Sequence, residues 1–299
     1  MSFPMLTSSA ARYQILAPVG EGAESTAAVY RALAEGSGLP QVVALKSTTI
    51  GRARHEARLL AELSHPCIPR FFELVPDDGQ AYVAMEFIEG ETLAQTLQSS
   101  LACGKLPPRR QVLGWGVQLC DVLDYLHRRV PPITFRDVKP GNVMRAPDGR
   151  LVLIDFDVAC SHLAMREDDF PVAGTPGYMA PEQLAGAPSF SPLSDVYGLG
   201  ATLCHLLTGN FPPRDMREVV HDPAFGCLPP SLQRVLLWMT ERDPRRRPAR
   251  MRVVRAALNE LLPSLRVRSR WVTRLLPLAL PGSGGSPFPT LATPTLAVR

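Results

Sequence analysis

The chain of 299 residues has a formal net charge of +4, with 45% hydrophobic and 20% charged residues. This composition is ordinary for a globular protein, and so small a net charge gives no indication of a nucleic-acid partner. The six cysteines are scattered without a CxxC pair, which argues against a structural zinc site or a disulfide framework and favours a cytoplasmic location.

The termini show no membrane or export signal. The N-terminal stretch has neither the basic start nor the apolar core of a signal peptide. The longest apolar run near the C-terminus, LLPLALPG, is too short to span a bilayer and is interrupted by Pro277. We therefore expect no transmembrane segment.

Residues 13–90 consist mostly of short β-rich runs separated by glycine, proline and aspartate. The four runs are YQILAPVG, AAVYRAL, QVVALKST and AYVAMEFI. One helical pattern, RARHEARLLAEL at 52–63, interrupts them and places Ala57, Leu60 and Ala61 on one face. These elements predict a small β-rich lobe with one main helix.

From about residue 92 the pattern becomes helical. The run RRQVLGWGVQLCDVLDYLHRR is amphipathic, and SDVYGLGATLCHLLTG is apolar nearly all round, which predicts a buried helix. Two further helical runs, LPPSLQRVLLWMTERD and MRVVRAALNELL, follow. From Ser264 onward the chain has five arginines and no acidic residue. It is rich in Pro, Gly, Ser and Thr, and we expect disorder beyond 275.

Two features of the β-rich region could bind phosphate. VGEGAESTAAVYRA is a glycine-rich turn whose N–H groups can donate to phosphate oxygens, although Gly20 and Gly22 by themselves fit a hairpin turn better. Lys46 ends the apolar strand VALK, where Glu56 could hold its ammonium toward a triphosphate. Taken alone, Lys46 is better explained by snorkelling to solvent and Glu56 by a solvated helix face.

Two acidic features suggest phosphoryl chemistry and metal binding. The loop FRDVKPGNVM brings together Asp137, Lys139 and Asn142, which could accept a proton, stabilise a phosphoryl group and ligate a metal. The order and spacing of these residues argue against a plain charged surface loop. The run LVLIDFDVAC ends a buried strand in Asp155 and Asp157, where an acid either binds metal or forms a turn.

Taken together with GTPGYMAPEQL (174–184) and DPRRRP (243–248), these motifs resemble eukaryotic-type serine/threonine protein kinases of the kind found in bacteria. The resemblance covers residues 13 to about 262, with the motifs in family order. VALK resembles the strand-lysine motif, MEFIEGETL the hinge, FRDVKPGN the catalytic loop and IDFDVA the metal-binding triplet. In the family, an arginine at the place of Arg247 pairs with the glutamate that corresponds to Glu182.

The resemblance implies an α+β, bilobal protein-kinase fold with ATP between the lobes. The N-lobe would cover 13–90 and the mainly helical C-lobe 91–262, preceded by an extension (1–12) and followed by a tail (263–299). It implies that Asp137, Lys139 and Asn142 are catalytic and that Asn142 and Asp155 hold Mg²⁺. The ATP-binding residues that it implies are Val19, Gly20, Gly22, Val29, Ala44, Lys46, Glu56, Met85, Glu86, Ile88, Met144 and Asp155.

The sequence departs from the family pattern at the glycine loop and at the catalytic loop. The glycine loop lacks its third glycine and has two added residues before Val29, so its grip on ATP should differ. Phe135 stands where the family has a histidine that stacks on the phenylalanine of the metal-binding triplet. We expect Phe135 to stack on Phe156 in the same way, with Leu60 and Phe71 completing this stack of side chains.

Asp157 occupies the glycine position of the metal-binding triplet. Because aspartate adopts positive φ less readily than glycine, we expect the triplet to switch conformation less readily. The extra carboxylate could bind Mg²⁺ through water or only cap the following turn, and we favour this structural role.

The segment before Glu182 lacks the usual phosphorylated cluster. Between Asp155 and Glu182 the only hydroxyl residues are Ser161, Thr175 and Tyr178. The segment instead carries Glu167, Asp168 and Asp169, one of which could face Arg136 as a permanent substitute for phosphate; a solvated acidic loop is the alternative.

The sequence favours an active ATP- and Mg²⁺-dependent serine/threonine protein kinase that acts on protein hydroxyls. The rival is a pseudokinase that serves as a nucleotide-binding scaffold or regulatory module. A small-molecule kinase is disfavoured, because GTPGYMAPE resembles a platform for polypeptide substrates. We expect a cytosolic regulatory partner. The basic, apolar start of the tail could dock on a partner, make weak contact with a membrane surface or pack on the helical lobe, and we favour packing.

Overall fold

A computed structural model describes residues 5–8, 11–19, 27–36, 42–77, 79–161, 174–184 and 191–263. The first part is a six-stranded antiparallel sheet in the order β1-β2-β3-β4-β6-β5. Its strands are β1 (Met5–Thr7), β2 (Arg12–Pro18), β3 (Ala28–Glu35), β4 (Val42–Thr49), β5 (Phe71–Asp77) and β6 (Gln80–Glu86). Helix α1 (Ile50–Ala61) joins β4 to the turn before β5.

The two edge strands of this sheet do not follow from the sequence pattern. Strand β1 has three residues, too few for a periodic signal, and lies within the segment that the sequence presents as an extension. Strand β5 contains Pro76, which an edge strand tolerates because one side needs no ladder hydrogen bond. Glu73 on β5 connects the two edges of the sheet by accepting hydrogen bonds from Tyr13 on β2 and from Ser8, which follows β1, at 2.5 and 2.8 Å.

The second part of the chain is mainly helical. Its helices are α2 (Leu93–Ala102), α3 (Arg109–His127), α4 (Pro181–Leu184), α5 (Leu193–Thr208), α6 (Pro223–Gly226), α7 (Pro230–Met239) and α8 (Met251–Leu261). Its short strands are β7 (Glu91–Thr92), β8 (Ile133–Thr134), β9 (Val143–Arg145), β10 (Leu151–Leu153) and β11 (Cys160–Ser161), which pair as β10-β9-β7 and β11-β8. The expected α+β architecture, a β-rich region followed by a helical one, is confirmed.

The helical core follows the predicted faces. Helix α5 is buried along almost its whole length, as its apolar sequence predicts. The amphipathic face of α3 is also buried and packs against α5 and α8. Helix α1 begins two residues earlier than the sequence pattern indicates and ends at Ala61. A short helix, α2, carries a capping box between Thr92 and Gln95 that we did not predict from the sequence.

The C-terminal tail beyond residue 263 lies outside the described residues, as does the glycine-rich stretch 20–26. Predictions about disorder, packing or membrane contact of the tail therefore stay predictions. Within the described part of the chain, no helix combines the length and apolar character needed to cross a membrane.

Candidate active site

A buried lysine links two carboxylates across the boundary between the sheet and the helical region. Lys46 on β4 places its Nζ atom 2.7 Å from Glu56 Oε2 and 2.5 Å from Asp155 Oδ1. Both Lys46 and Glu56 are buried, so the solvent-exposed alternatives for these residues are wrong. The other oxygen of Glu56 accepts a hydrogen bond from the backbone N–H of Phe156 at 2.9 Å.

Within this cluster the charges of Lys46 and Asp155 stabilise each other, whereas burial and the Asp155 carboxylate raise the pKa of Glu56 against the opposing effect of Lys46. Burial alone would lower the pKa of Lys46, but the carboxylates of Glu56 and Asp155 outweigh burial and raise that pKa. Burial alone would raise the pKa of Asp155, but the ammonium of Lys46 outweighs it and lowers that pKa. Lys46 and Asp155 are therefore both charged at neutral pH.

Asp155 is positioned by the strand before it and by the catalytic loop. Strand β10 ends at Leu153, and the backbone N–H of Ile154 donates to the carbonyl of Asn142 at 2.9 Å. Asp155 then adopts φ of 70°, a left-handed conformation that a non-glycine residue rarely takes. This turn directs the chain out of the strand and brings the carboxylate to Lys46.

Asp137 lies at the centre of a second cluster. Its Oδ2 atom accepts a hydrogen bond from Asn142 Nδ2 at 2.8 Å and lies 3.1 Å from Lys139 Nζ. Its Oδ1 atom accepts from the backbone N–H of Thr175 at 3.0 Å, and Lys139 donates to the Thr175 hydroxyl at 2.6 Å. The Asp137 carboxylate is thus held in one orientation by neighbours from both sides.

The backbone of the catalytic loop is held by a buried acid on helix α5. Asp195 on α5 accepts hydrogen bonds from the backbone N–H groups of Phe135 and Arg136 at 2.9 and 2.8 Å. Arg136 has φ of 71°, and these bonds hold that conformation. The family resemblance predicts that the buried helix containing SDVYGLG supports the catalytic loop, but Asp195 was not singled out as the residue that does so. The available signal was an acid in the first turn of an otherwise apolar helix.

The apolar residues that the resemblance assigns to ATP fall into two groups. In the sheet, Ala44 on β4 pairs in register with Met85 on β6, and Val29 on β3 pairs with Lys46. At the start of the helical region, Ile88 and Met144 pack together with Ala146, Val152 and Ile154. Two other residues assigned to ATP lie at strand ends: the N–H of Val19 donates to the carbonyl of Val29 at 2.7 Å, and the N–H of Glu86 donates to the carbonyl of Arg70 at 2.8 Å. Gly20 and Gly22 lie outside the described residues.

The predicted aromatic contact at the catalytic loop is confirmed. The rings of Phe135 and Phe156 meet edge to face, with centroids 5.1 Å apart, and both side chains are buried. Leu60 belongs to the same core, and Phe71 packs against it. Phenylalanine therefore fills the histidine position by apolar contact.

Asp157 is not in the left-handed conformation, so the glycine position does not need glycine in this state of the chain. Its Oδ2 atom pairs with Arg52 Nη1 on α1 at 3.1 Å. Asp157 Oδ1 is buried and has no hydrogen-bond partner among the described residues.

Oxygen ligands for a divalent cation are available next to these clusters. Within the described residues no three His, Cys, Asp or Glu side chains converge on one point. Asp155 offers a carboxylate, and Asn142 offers an amide oxygen because its Nδ2 atom is engaged by Asp137. Mg²⁺ typically uses one or two such protein oxygens and takes its other ligands from phosphate and water, so the residues present fit that ion.

The segment 174–184 is anchored to the helical region through an aromatic cluster. The Tyr178 hydroxyl lies 2.5 Å from His205 Nδ1, and Phe211 packs edge to face against both rings. Burial lowers the pKa of His205 to about 4. The imidazole is therefore neutral near pH 7, and its Nδ1 atom can accept a hydrogen bond from the Tyr178 hydroxyl.

This geometry predicts acid sensitivity. Between about pH 4 and 6.5 the unfolded chain binds a proton at His205 that the folded chain does not. The contribution of His205 to the free energy of unfolding is therefore fully present above pH 6.5 and is lost as the pH falls toward 4. The expected loss approaches about 3 kcal/mol. Urea unfolding from pH 4 to pH 7 measures it, and His205→Gln should flatten the curve. Equal pH slopes for the variant and the wild type would contradict this assignment.

The chain has recognisable relatives. The model of the protein kinase domain family matches residues 13–258. The serine/threonine-protein kinase PknD of Chlamydia abortus is 30% identical over 248 residues, which cover 71% of this chain and 26% of that protein. Serine/threonine-protein kinase C of Synechocystis is 34% identical over 210 residues, which cover 66% of this chain and 38% of that protein. Mouse Nek1, also a serine/threonine-protein kinase, is 29% identical over 255 residues, which cover 80% of this chain and 20% of that protein. The chain therefore spans a minor part of the length of each of these relatives.

Proposed function

The chain belongs to the protein kinase family, and we propose that it is an active serine/threonine kinase that transfers the γ-phosphoryl group of ATP to protein hydroxyls. The family implies ATP and a divalent metal ion. The observation that carries the proposal is the assembled state of the charged cluster, in which Lys46 bridges Glu56 and Asp155 at 2.7 and 2.5 Å. The matched relatives named above are all described as serine/threonine-protein kinases.

In the proposed mechanism, each residue of the two clusters has a separate task. Lys46, fixed by Glu56, binds the α- and β-phosphates. Asp137 orients the substrate hydroxyl and accepts its proton; Oδ1 keeps one lone pair beyond the bond from Thr175, whereas Asn142 and Lys139 occupy both lone pairs of Oδ2. Lys139 uses two of its three N–H donors on Asp137 and Thr175, and the third serves the transferring phosphoryl group.

The metal ion that we propose is Mg²⁺, held by Asn142 and Asp155. When bound, it neutralises charge on the β- and γ-phosphates. Adenine would lie between the sheet residues Val19, Val29, Ala44 and Met85 and the pair of Ile88 and Met144, with the backbone of Glu86 and Ile88 as polar contacts. Gly20 and Gly22 would cover the phosphates.

We propose that the kinase domain covers 13–262, divided into an N-lobe (13–90) and a C-lobe (91–262). Strand β1 extends the N-lobe sheet beyond the first of these bounds. The tail, 263–299, is proposed to be a basic and then Pro/Gly/Ser/Thr-rich segment available to a regulatory partner or a membrane surface. The cytoplasmic location stays a prediction from the cysteine pattern.

A pseudokinase is the less favoured alternative. A scaffold does not require Asp137 to be held by Asn142, Lys139 and Thr175, because these contacts orient a proton acceptor without contributing to nucleotide affinity. The same holds for the amide oxygen of Asn142, which Asp137 orients by binding the Nδ2 atom of the same amide.

The test is transfer of label from γ-labelled ATP. The full chain is incubated with Mg²⁺ and a generic basic protein, and the labelled product is hydrolysed to identify the phosphorylated amino acids. Label on serine and threonine that is lost on removal of Mg²⁺ supports the proposal. Nucleotide binding without transfer under the same conditions would favour the scaffold, and label confined to tyrosine would contradict the predicted specificity.

We further propose that activity does not need phosphorylation of the segment between Asp155 and Glu182. Ser161 is buried in β11, the Thr175 hydroxyl accepts from Lys139, and Tyr178 is buried against His205. All three hydroxyl groups of this segment are therefore poorly placed to receive a phosphate. The acids proposed to replace it, Glu167, Asp168 and Asp169, lie outside the described residues.

Phosphatase treatment should leave the initial rate within about twofold of the untreated enzyme, because no phosphate contributes charge to the site. The assay compares the two preparations after mass spectrometry has confirmed complete dephosphorylation. Ser161→Ala serves as the second arm and should be as active as the wild type. A large loss in either arm would show that a phosphate is required.

A further inference from the structure

Helix α1 contacts the metal-binding segment through three of its residues. Arg52 Nη1 lies 3.1 Å from Asp157 Oδ2, and His55 Nε2 lies 2.7 Å from the carbonyl oxygen of Ala159. Glu56 accepts from the N–H of Phe156 at 2.9 Å. The helix that presents Glu56 to Lys46 is thus fastened to the chain that immediately follows Asp155.

Arg52 and Glu56 are four residues apart, so they lie on the same face of α1, one turn from each other. Glu56 is held by Lys46 and Phe156, whereas Arg52 is near the beginning of the helix at Ile50. A pair at Arg52 therefore fixes the end of α1 that the Lys46–Glu56 pair does not reach. Two attachments one turn apart define the direction of the helix better than one.

The first turn of α1 is weak by itself. The residue before it, Thr49, makes no side-chain capping hydrogen bond, and no acidic residue is present in that turn. Gly51 adds backbone freedom, and a methyl group on its Cα would meet no neighbour within 4 Å. The cation of Arg52 is also unfavourable near the positive end of a helix dipole, and a nearby carboxylate offsets this. Asp157 supplies that carboxylate.

Asp157 contacts the helix and lies two residues beyond the proposed metal ligand, Asp155. Its side chain is only 15% exposed and pairs with Arg52, whose side chain is 50% exposed. The residue between Asp155 and Asp157 is Phe156, whose N–H donates to Glu56. A shift of Asp157 is therefore transmitted to Asp155 along the backbone and to Glu56 through Phe156 and α1.

We propose that the Arg52–Asp157 ion pair is a positioning element that holds α1 against residues 155–159 and so keeps Glu56 at Lys46. The proposal rests on the kinase function proposed above, and it explains why an acid stands where the family has glycine. Neither residue touches the reacting groups. The competing role for Asp157, a metal ligand acting through water with its buried Oδ1 atom, is separated by the test.

The test is a double-mutant cycle of Arg52→Gln and Asp157→Asn in the full chain. Each single variant should lower kcat/KM for ATP about tenfold, and the double variant should be no worse than either, since both remove the same pair. Arg52→Lys should recover part of the activity. Arg54→Gln, an exposed arginine on the same helix with no ion pair in the described part of the chain, is the matched control and should be unchanged.

A second measurement does not depend on activity. Hydrogen exchange of the amides of 50–56, without nucleotide, should accelerate about tenfold in both single variants and in the double variant, and stay at the wild-type rate in Arg54→Gln. If the wild type transfers no phosphate but exchange responds in this way, the kinase function fails and the positioning role stands. If the wild type is active but α1 exchanges normally in both variants, the positioning role is wrong.

Magnesium titration separates the two roles of Asp157. The positioning role predicts that Arg52→Gln and Asp157→Asn shift the half-saturating Mg²⁺ concentration equally. A shift confined to Asp157→Asn, together with additive losses in the cycle, would instead assign Asp157 to the metal and overturn the ion-pair proposal.

Discussion

Replacing Asp137 with asparagine is expected to lower kcat about a thousandfold while ATP affinity changes little, because the substitution removes the proposed proton acceptor and keeps the shape of the side chain. The asparagine side chain still occupies the space between Asn142, Lys139 and Thr175. It cannot accept a proton at neutral pH, and it no longer balances the charge of Lys139. The loss should therefore appear in the chemical step rather than in binding.

The surroundings of Asp137 make this variant informative. The carboxylate is oriented by a backbone N–H group and a side-chain amide at 3.0 and 2.8 Å, so its position does not depend on substrate. A proton acceptor fixed in advance loses no free energy to reorganisation during the reaction. Removing it should cost the full contribution of general-base catalysis.

The measurement combines single-turnover transfer with nucleotide binding for Asp137→Asn and the wild type. Asp121→Asn is the matched control, since Asp121 is half exposed and pairs with Arg255 on the surface. The control should retain the wild-type rate. A kcat for Asp137→Asn near that of the wild type would contradict the assignment of Asp137 as the base.

The sequence predicted those parts of the molecule that depend on local pattern. The buried strand ending at Leu153 and the acid that follows it, together with the apolar helix α5, needed only residue order and hydrophobicity. The contact between Phe135 and Phe156 was predicted from the family resemblance, with the apolar area of the ring as the reason that phenylalanine can replace histidine, and the structure adds their edge-to-face geometry. Family resemblance, rather than spacing, supplied the arrangement of Lys46 with Glu56.

Long-range pairs could not be predicted in the same way. Arg52 and Asp157 are separated by 105 residues, and the glycine position of Asp157 gave information about backbone freedom rather than about a side-chain partner. Glutamate is usually found on the solvated face of a helix, and only the packing of α1 on its neighbours shows that Glu56 is buried. Edge strands β1 and β5 were not predicted because one is very short and the other contains proline.

The predicted pair of Arg247 and Glu182 is confirmed, and it is the most fully bonded ion pair described in the helical region. Arg247 donates to both Glu182 oxygens at 2.6 and 2.7 Å and to the carbonyls of Leu193, Glu241 and Arg242. Its side chain is 0% exposed, and its guanidinium lies over the Tyr197 ring. The pair joins the end of the segment 174–184 to the loop before α8.

Arg247→Met is expected to lower the free energy of unfolding by about 3–5 kcal/mol, because it leaves a carboxylate and three carbonyls without their buried donor. For a domain of this size the melting temperature should fall about 10 °C. Changing Glu182 to glutamine in the same chain should recover part of the loss, since no buried charge then remains unpaired.

Denaturant unfolding of the full chain measures these differences, with Arg246→Met as the matched control. Arg246 is the preceding residue, its side chain is 70% exposed, and it lies 3.8 Å from Glu241. Its removal should change stability by less than about 0.5 kcal/mol, because exposed ion pairs contribute little. Equal losses in the two arginine variants would show that the Arg247–Glu182 pair does not anchor the segment. A double variant with Glu182→Gln as unstable as the sum of its single variants would show that the two side chains act independently.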